Sequence, residues 1–199
     1  DGAFIAADGQ VRKSGQYRRR SIFSGWDVFR AEFPLMTIIN PALISDEVNS
    51  LVDLAAESGK GYLERWELLN AYSGCMDGDP AISVIADAYQ KGIRTFDAKK
   101  AYAACVQTAS GNGNQTNRPD NDFYLKHGYL PGRVSWNLDN AYYDWCVGTL
   151  AQALSKTGDA EMYLERAKNY RKIYDPAVQS MHAKDRDGHR AYRNKPSLW

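Results

Sequence analysis

The chain has 199 residues, 44% of them hydrophobic and 25% charged, with a formal net charge of +1. That length is enough for one domain with its own core. The charge balance excludes a global field for nucleic acid or an anionic membrane, and no apolar run reaches the roughly 18 residues that span a bilayer.

Residues 1–20 are polar, with Gly2, Gly9, Gly15 and the basic run Arg18-Arg19-Arg20. They predict a loop or short hairpin carrying a solvated arm. A nucleic-acid arm is the alternative, and the net charge argues against it. The next run, Phe23-Ser24-Gly25-Trp26-Asp27-Val28-Phe29-Arg30, predicts a helix start. Ser24 and Asp27 fit a capping-box variant, and Trp26, Phe29 and Phe33 share one face. Residues 34–44 are the most apolar stretch and predict a buried segment bounded by Pro34 and Pro41.

Ser45-Asp46-Glu47 predicts the start of a second helix, with Val48, Leu51, Val52 and Ala55 inward and Gly59 as its stop. Residues 62–70 (YLERWELLN) mix helical and extended features. Asp79-Pro80 opens a third helix that ends at Gly92, with Asp79 as its cap. Asp97 caps a fourth. Residues 110–122 hold no apolar side chain and predict a long loop, in which Asn114-Gln115-Thr116 is a sequon of low weight. Further helices are expected over about 138–156 and 160–174, and Asp175-Pro176 ends the last. In the first of these, Asp144-Trp145 repeats the Asp/Trp pairing and Trp145 reads as core. From Gln179 to Trp199 the pattern is lost, and Asp187-Gly188 reads as a turn.

No alternation of period two extends beyond about four residues. The expected fold is therefore all-α, with helices in successive pairs stacked as αα-hairpins, as in an (α/α) toroid. Residues 1–20 would be an irregular lead-in, 21–176 helical and 177–199 an irregular tail. Cys75, Cys105 and Cys146 form no C-x-x-C, which predicts buried free thiols rather than zinc or a redox dithiol. His127, His182 and His189 have no metal-ligand spacing, so no metal ligand is assigned. Asp185-x-Asp187-Gly188 has the front of a calcium loop without its later ligands.

Three places pair an aromatic or sulfur side chain with a carboxylate near a helix end: Trp26-Asp27 with Arg30, Trp66-Glu67, and Cys75-Met76 before Asp79. A Trp face suits the apolar side of a sugar ring, and a carboxylate accepts bonds from its hydroxyls. Arg30 lies one turn beyond Asp27 and could hold it charged. Trp26, Asp27, Arg30, Trp66, Glu67, Cys75, Met76 and Asp79 are therefore the candidate substrate-binding residues. The bland reading gives Asp27 to helix capping, Glu67 to the surface and Asp79 to a cap.

These residues resemble glycoside hydrolase family 92, the calcium-dependent exo-acting α-mannosidases. The matching pieces are SGWDVFRAEFPL (24–35), ISDEVNSLVDL (44–54), the run 65–102 containing GCMDGDP, YYDWCVGTLAQAL (142–154) and YLERAKNYRKIYDP (163–176). The resemblance implies a helical-toroid catalytic domain that follows a β-sandwich domain, with this chain forming part of the (α/α) toroid, an incomplete α/α barrel. It implies inverting hydrolysis of terminal α-mannose, with α-1,2-type linkages, calcium as cofactor, mannose-containing glycans as partners and export from the cytoplasm. It places Trp26 and Asp27 at the terminal-mannose subsite, with Trp66-Glu67 and Cys75-Met76 around the same pocket. The family's acid, in a Thr-Glu-Gly-Asn-like motif, and its base would lie beyond Trp199, so the isolated chain is expected to be inactive and to expose apolar faces that favour self-association. A non-catalytic carbohydrate-binding or interaction module on the same helical scaffold is the alternative.

Overall fold

The computed structural model describes residues 2–20 and 22–190. The lead-in is a hairpin, β1 (Ala3–Ile5) against β2 (Val11–Lys13), with Phe4 opposite Arg12. The basic run behind it is not a free arm. Arg19 pairs with Glu57 at 3.0 Å and Arg20 with Asp46 at 2.7 Å, so the run fastens the lead-in to the following long helix. A guanidinium can bridge two elements bidentately, and a solvated face was the wrong expectation.

β3 (Ile22–Ser24) leads into the single turn α1 (Gly25–Val28), then α2 (Glu32–Ile39) and α3 (Pro41–Glu57). The expected buried segment 34–44 is instead a helix end and a helix start. Leu35, Ile38 and Ile39 are exposed, Ile38 at 74%. Pro41 starts α3 because its missing N–H is not needed in a first turn, and the Asn40 side chain caps the helix by accepting from Leu43 N at 3.3 Å. α3 thus begins before Ser45. Gly59 follows its end, as expected.

β4 (Trp66–Leu68) pairs antiparallel with β3 on one side and with β5 (Ala71–Tyr72) on the other. α4 (Pro80–Gln90) and α5 (Ala98–Ser110) follow, and Asp97 caps α5 through the amides of Lys99 and Lys100. The polar loop then holds a 3-10 turn over Gly113–Gln115 and runs into the short α6 (Asn121–His127), a helix the sequence did not announce. α7 (Val134–Ala153) starts earlier than expected. α8 (Thr157–Arg166) passes into 3-10 helix over Ala167–Ile173. The described part of the tail has regular pairing: β6 (Tyr174–Asp175) pairs with β7 (Ser180–Met181), and Gly188 N closes a turn onto Asp185 O at 3.2 Å. Residues 191–199 of the expected irregular tail lie outside the described part.

The architecture is mainly helical. α2 packs on α3, α4 on α5 and α7 on α8, and α7 also touches α4 and α5. The core runs through Ile44 and Leu51 of α3, Ile85 of α4, Cys105 of α5, Val147 of α7 and Tyr163 of α8. Gly148 lets α8 approach: a Cβ there would stand 2.8 Å from Leu164 Cγ. Cys105 and Cys146 are buried thiols, whereas Cys75 is exposed. Trp145, expected in the core, is 51% exposed. α7 is apolar on more than two sides, and after α4 and α8 have covered theirs, Tyr142 and Trp145 remain stacked outside with centroids 6.3 Å apart.

Candidate functional site

The β3–β4 register decides the site's layout. Ser24 stands opposite Trp66, so the turn carrying Trp26 and Asp27 begins directly beside the Trp66-Glu67 strand. Residues far apart in sequence are thus brought together by backbone pairing.

Trp26 is half-buried, and the Arg30 guanidinium lies over its ring at 4.5 Å and over Phe29 at 5.2 Å. Such a stack fixes the indole by cation–π attraction. Arg30 therefore does not hold Asp27. Asp27 is exposed and accepts from Ser24 Oγ at 2.6 Å. The capping box is altered accordingly: Ser24 makes no side-chain bond to the helix amides.

Side chains alternate along β4, so Trp66 and Glu67 face opposite ways. Trp66 is half-buried, and Glu67 is only 1% exposed. Burial pushes the Glu67 carboxyl up to about 7, although its oxygen accepts from Asn70 N at 3.0 Å. Its charged neighbours include Glu47 of α3, itself pushed to about 8 first by burial and then by Glu67.

The 73–79 segment is shaped from below. Met76 has φ +66, and Arg65 Nη1 donates to its carbonyl at 3.2 Å. Arg65 also bonds Asn117 O and stacks over Trp136 at 4.8 Å. Cys75 and Met76 are thereby held outward, both exposed. Gly78, at φ +74, passes so close to α7 that a Cβ would stand 2.5 Å from Tyr143 Cε2 and 3.2 Å from Asp139 Oδ2.

Asp79 occupies the N-cap position of α4, as expected, but its side chain makes no capping bond. It is 2% exposed and accepts from Arg118 Nε at 2.6 Å. Arg118 Nη1 donates to Asp144 Oδ1 at 2.8 Å, and Arg166 reaches both Asp144 oxygens at 2.7 Å. Burial opposes the Arg118 charge, but Asp144 and Asp79 outweigh it and raise its pKa. Glu67 and Asp79, expected as sugar contacts, are both buried in this chain and take Asn70 N and Arg118 as partners.

Sequence reasoning missed Arg118, hidden in a loop without apolar residues. The signal was Asp144, a carboxylate on the inward face of a helix, which requires a buried cation. It also missed Asp139. That side chain lines a cavity of about 810 Å³ with Phe29, Arg30, Tyr142 and Trp145. Burial, then Asp77 and Asp79, push its carboxyl up to about 6 against the pull of Arg30.

The whole chain, residues 1–199, matches the glycosyl hydrolase family 92 catalytic domain. The chain belongs to glycosyl hydrolase family 92. Its helical architecture superposes on that of the family GH92 α-mannosidase BT3965 from Bacteroides thetaiotaomicron. The TM-score is 0.93 at 30% identity, over 100% of this chain and 27% of that one. The same α-mannosidase in complex with mannoimidazole gives 0.92 at 30% identity, over 98% of this chain and 26% of that one. The family GH92 inverting mannosidase BT2199 from the same organism gives 0.88 at 30% identity, over 99% and 27%. This chain thus spans about a quarter of the length of these solved relatives, 27% for BT3965. No curated protein sequence matches it.

For this family 92 chain the implied calcium finds no fitting donor set among the described residues. Asp185, Asp187 and His189 come together, all exposed, but one is an imidazole and Asp185 Oδ1 already accepts from the amides of Asp187 and His189. Calcium takes six to eight oxygen ligands. The turn explains this cluster without an ion. Among the described residues no helix is long and apolar enough to cross a membrane.

Proposed function

We propose that residues 1–199 form one wall of the terminal-mannose subsite of an inverting, calcium-dependent α-mannosidase acting on α-1,2-type linkages. The observation that carries the reading is the Ser24–Trp66 pairing, which brings the turn bearing Trp26 beside the strand bearing Trp66, both indoles half-buried. In this reading Trp26, held by Arg30, stacks on the sugar ring and Asp27 accepts its outer hydroxyls. Trp66, Cys75 and Met76 border the pocket. Glu67 and Asp79 support it from within. The helix pairs would be part of an (α/α) toroid.

Inversion needs an acid and a base held about 6.5–9.5 Å apart with water between them. Asp27 faces solvent and Glu67 faces α3, which supports a chain that binds and does not cleave. The acid and base are proposed to lie outside these residues, because no Thr-Glu-Gly-Asn occurs in the sequence. The same two orientations also favour the second reading, a sugar-binding module without catalysis.

Two measurements on the purified chain test the proposal. With calcium and an α-1,2-mannobioside, no turnover is expected, and clear turnover overturns the inactive-wall reading. Titration with mannoimidazole should show weak uptake that W26A removes. Absence of uptake by the parent chain overturns the mannose wall.

A further inference from the structure

We propose that Asp139 is a sugar-contacting residue of this wall, an acceptor for hydroxyl groups of a mannoside seated against Trp26. The assignment rests on the mannoside reading of the same site.

Asp139 stands in the second turn of α7, where three parts of the site converge. Its Oδ2 sits beside Gly78, at the end of the Cys75-Met76 segment. Its side chain lines the 810 Å³ cavity together with Arg30, whose guanidinium covers Trp26. Asp77 is close enough to act on its charge and is itself approached by Ser135 Oγ at 3.4 Å. The cavity falls within the range of small-molecule sites, roughly 300–1,000 Å³.

Carboxylates withdrawn from water are ordinarily paired or hydrogen-bonded. Asp79 has Arg118, and Asp144 has two arginines and Tyr124. Asp139 is half-buried, yet among the described residues no hydrogen bond or ion pair ends on it, and Arg30 acts on it only through space. Its Oδ2 stands beside Gly78, and the side chain lines the cavity with neither oxygen hydrogen-bonded among the described residues. A cation would be one way to compensate them, but Asp77, Asp79 and Asp139 do not converge as metal ligands would. Neutral donors in a row, such as the hydroxyls of a sugar ring, fit better: they satisfy the lone pairs and leave the Arg30–Trp26 stack intact. Tyr142 and Trp145 on the same side supply apolar surface for the ring's carbons.

The test is a mannoimidazole titration of the full chain by calorimetry, on the parent, D139N, D139E and W26A. D139N keeps the shape and removes the charge, so affinity should fall about tenfold or more, as for loss of a charge-assisted hydrogen bond. D139E should recover part of it. D139N relieves the repulsion from Asp77 and Asp79, so its melting temperature should not drop, and a folding defect is separable from a binding one. If the parent binds, W26A fails to bind and D139N binds like the parent, the Asp139 assignment is overturned while the mannoside reading stands. If the parent takes up no ligand, both fall.

Discussion

Arg118 donates Nε–H to Asp79 Oδ2 at 2.6 Å, and both side chains are fully buried. One bond ties a polar loop to the first turn of α4 and so holds the base of the Cys75-Met76 segment. The same guanidinium turns its Nη1 to Asp144 in the middle of α7.

Removing the cation should therefore cost more than its own bonds. R118M leaves Asp79 without a partner, and Asp144 keeps only Arg166 and Tyr124. Breaking a buried pair in this way costs about 3–5 kcal/mol. Urea unfolding of R118M should show a loss of that size, partly recovered in R118M/D79N. An unchanged midpoint would show that the network carries no stability.

Glu47 and Glu67 set a pH dependence. Their folded carboxyls titrate near 8 and 7, above the usual 4.5, so the folded chain binds more protons than the unfolded one between those values. Stability is then full at and below about pH 4.5 and declines as pH rises toward 8. The decline amounts to about 1.4 kcal/mol for each pH unit by which a folded carboxyl holds its proton longer. Thermal melts from pH 5 to 8 should fall steadily, and E47Q should flatten the slope. A parent chain that gains stability across this window would contradict the buried placement.

G78A meets two obstacles at once: a left-handed backbone at φ +74 and the Tyr143 ring 2.5 Å from the new methyl group. A loss of about 1–3 kcal/mol is expected from the backbone alone. Denaturant midpoints of G78A, Y143A and G78A/Y143A, read as a double-mutant cycle, separate the contact from the backbone cost, because Y143A alone carries the loss of a buried ring.

Arg65 predicts a local rather than a global effect. R65K keeps the charge but cannot bridge Met76 O and Asn117 O with a planar fork while lying on Trp136. Amide exchange at residues 74–78 should accelerate several-fold while the core amides of α4 and α7 are unchanged. Uniform acceleration would show that Arg65 acts on the whole fold.

The exposed apolar groups predict association. Ile38, Ile39 and Trp145 all stand more than half exposed, at 74%, 62% and 51%. Exposed patches of this kind mark contact surfaces. Light scattering should show self-association of the parent chain, reduced in W145S. A concentration-independent monomer would argue against it.

The longer helices were legible in the sequence because the 3.6 period and the punctuation at Gly59, Pro80, Gly92 and Asp97 are local signals; the short α6, which starts in a loop without apolar residues, was not. Helix ends were less so: Asn40-Pro41 and Ser45-Asp46 are both plausible starts, and the Asn40 cap decides between them. The motifs were found as chemistry, a Trp beside a carboxylate. Their orientations were not, because the side of a strand that faces a core depends on its partners. Hence Glu67 and Trp66 could not be assigned to opposite faces in advance. Arg118 and Asp139 were missed for one reason: their meaning comes from residues far away in sequence, Asp79 and Asp144 for the first, Gly78 and Arg30 for the second.

The pairing of Ser24 with Trp66 also constrains how the chain's length can vary. A strand's side chains alternate, so a shift of one residue exchanges its two faces. A single inserted or deleted residue within β4 would turn the indole of Trp66 toward Glu47 and push the Glu67 carboxylate outward. Insertions in the exposed turn at Gly59-Lys60-Gly61 leave that parity untouched. Length changes among relatives should therefore collect in such turns and avoid the two short strands, however little of the chain those strands occupy.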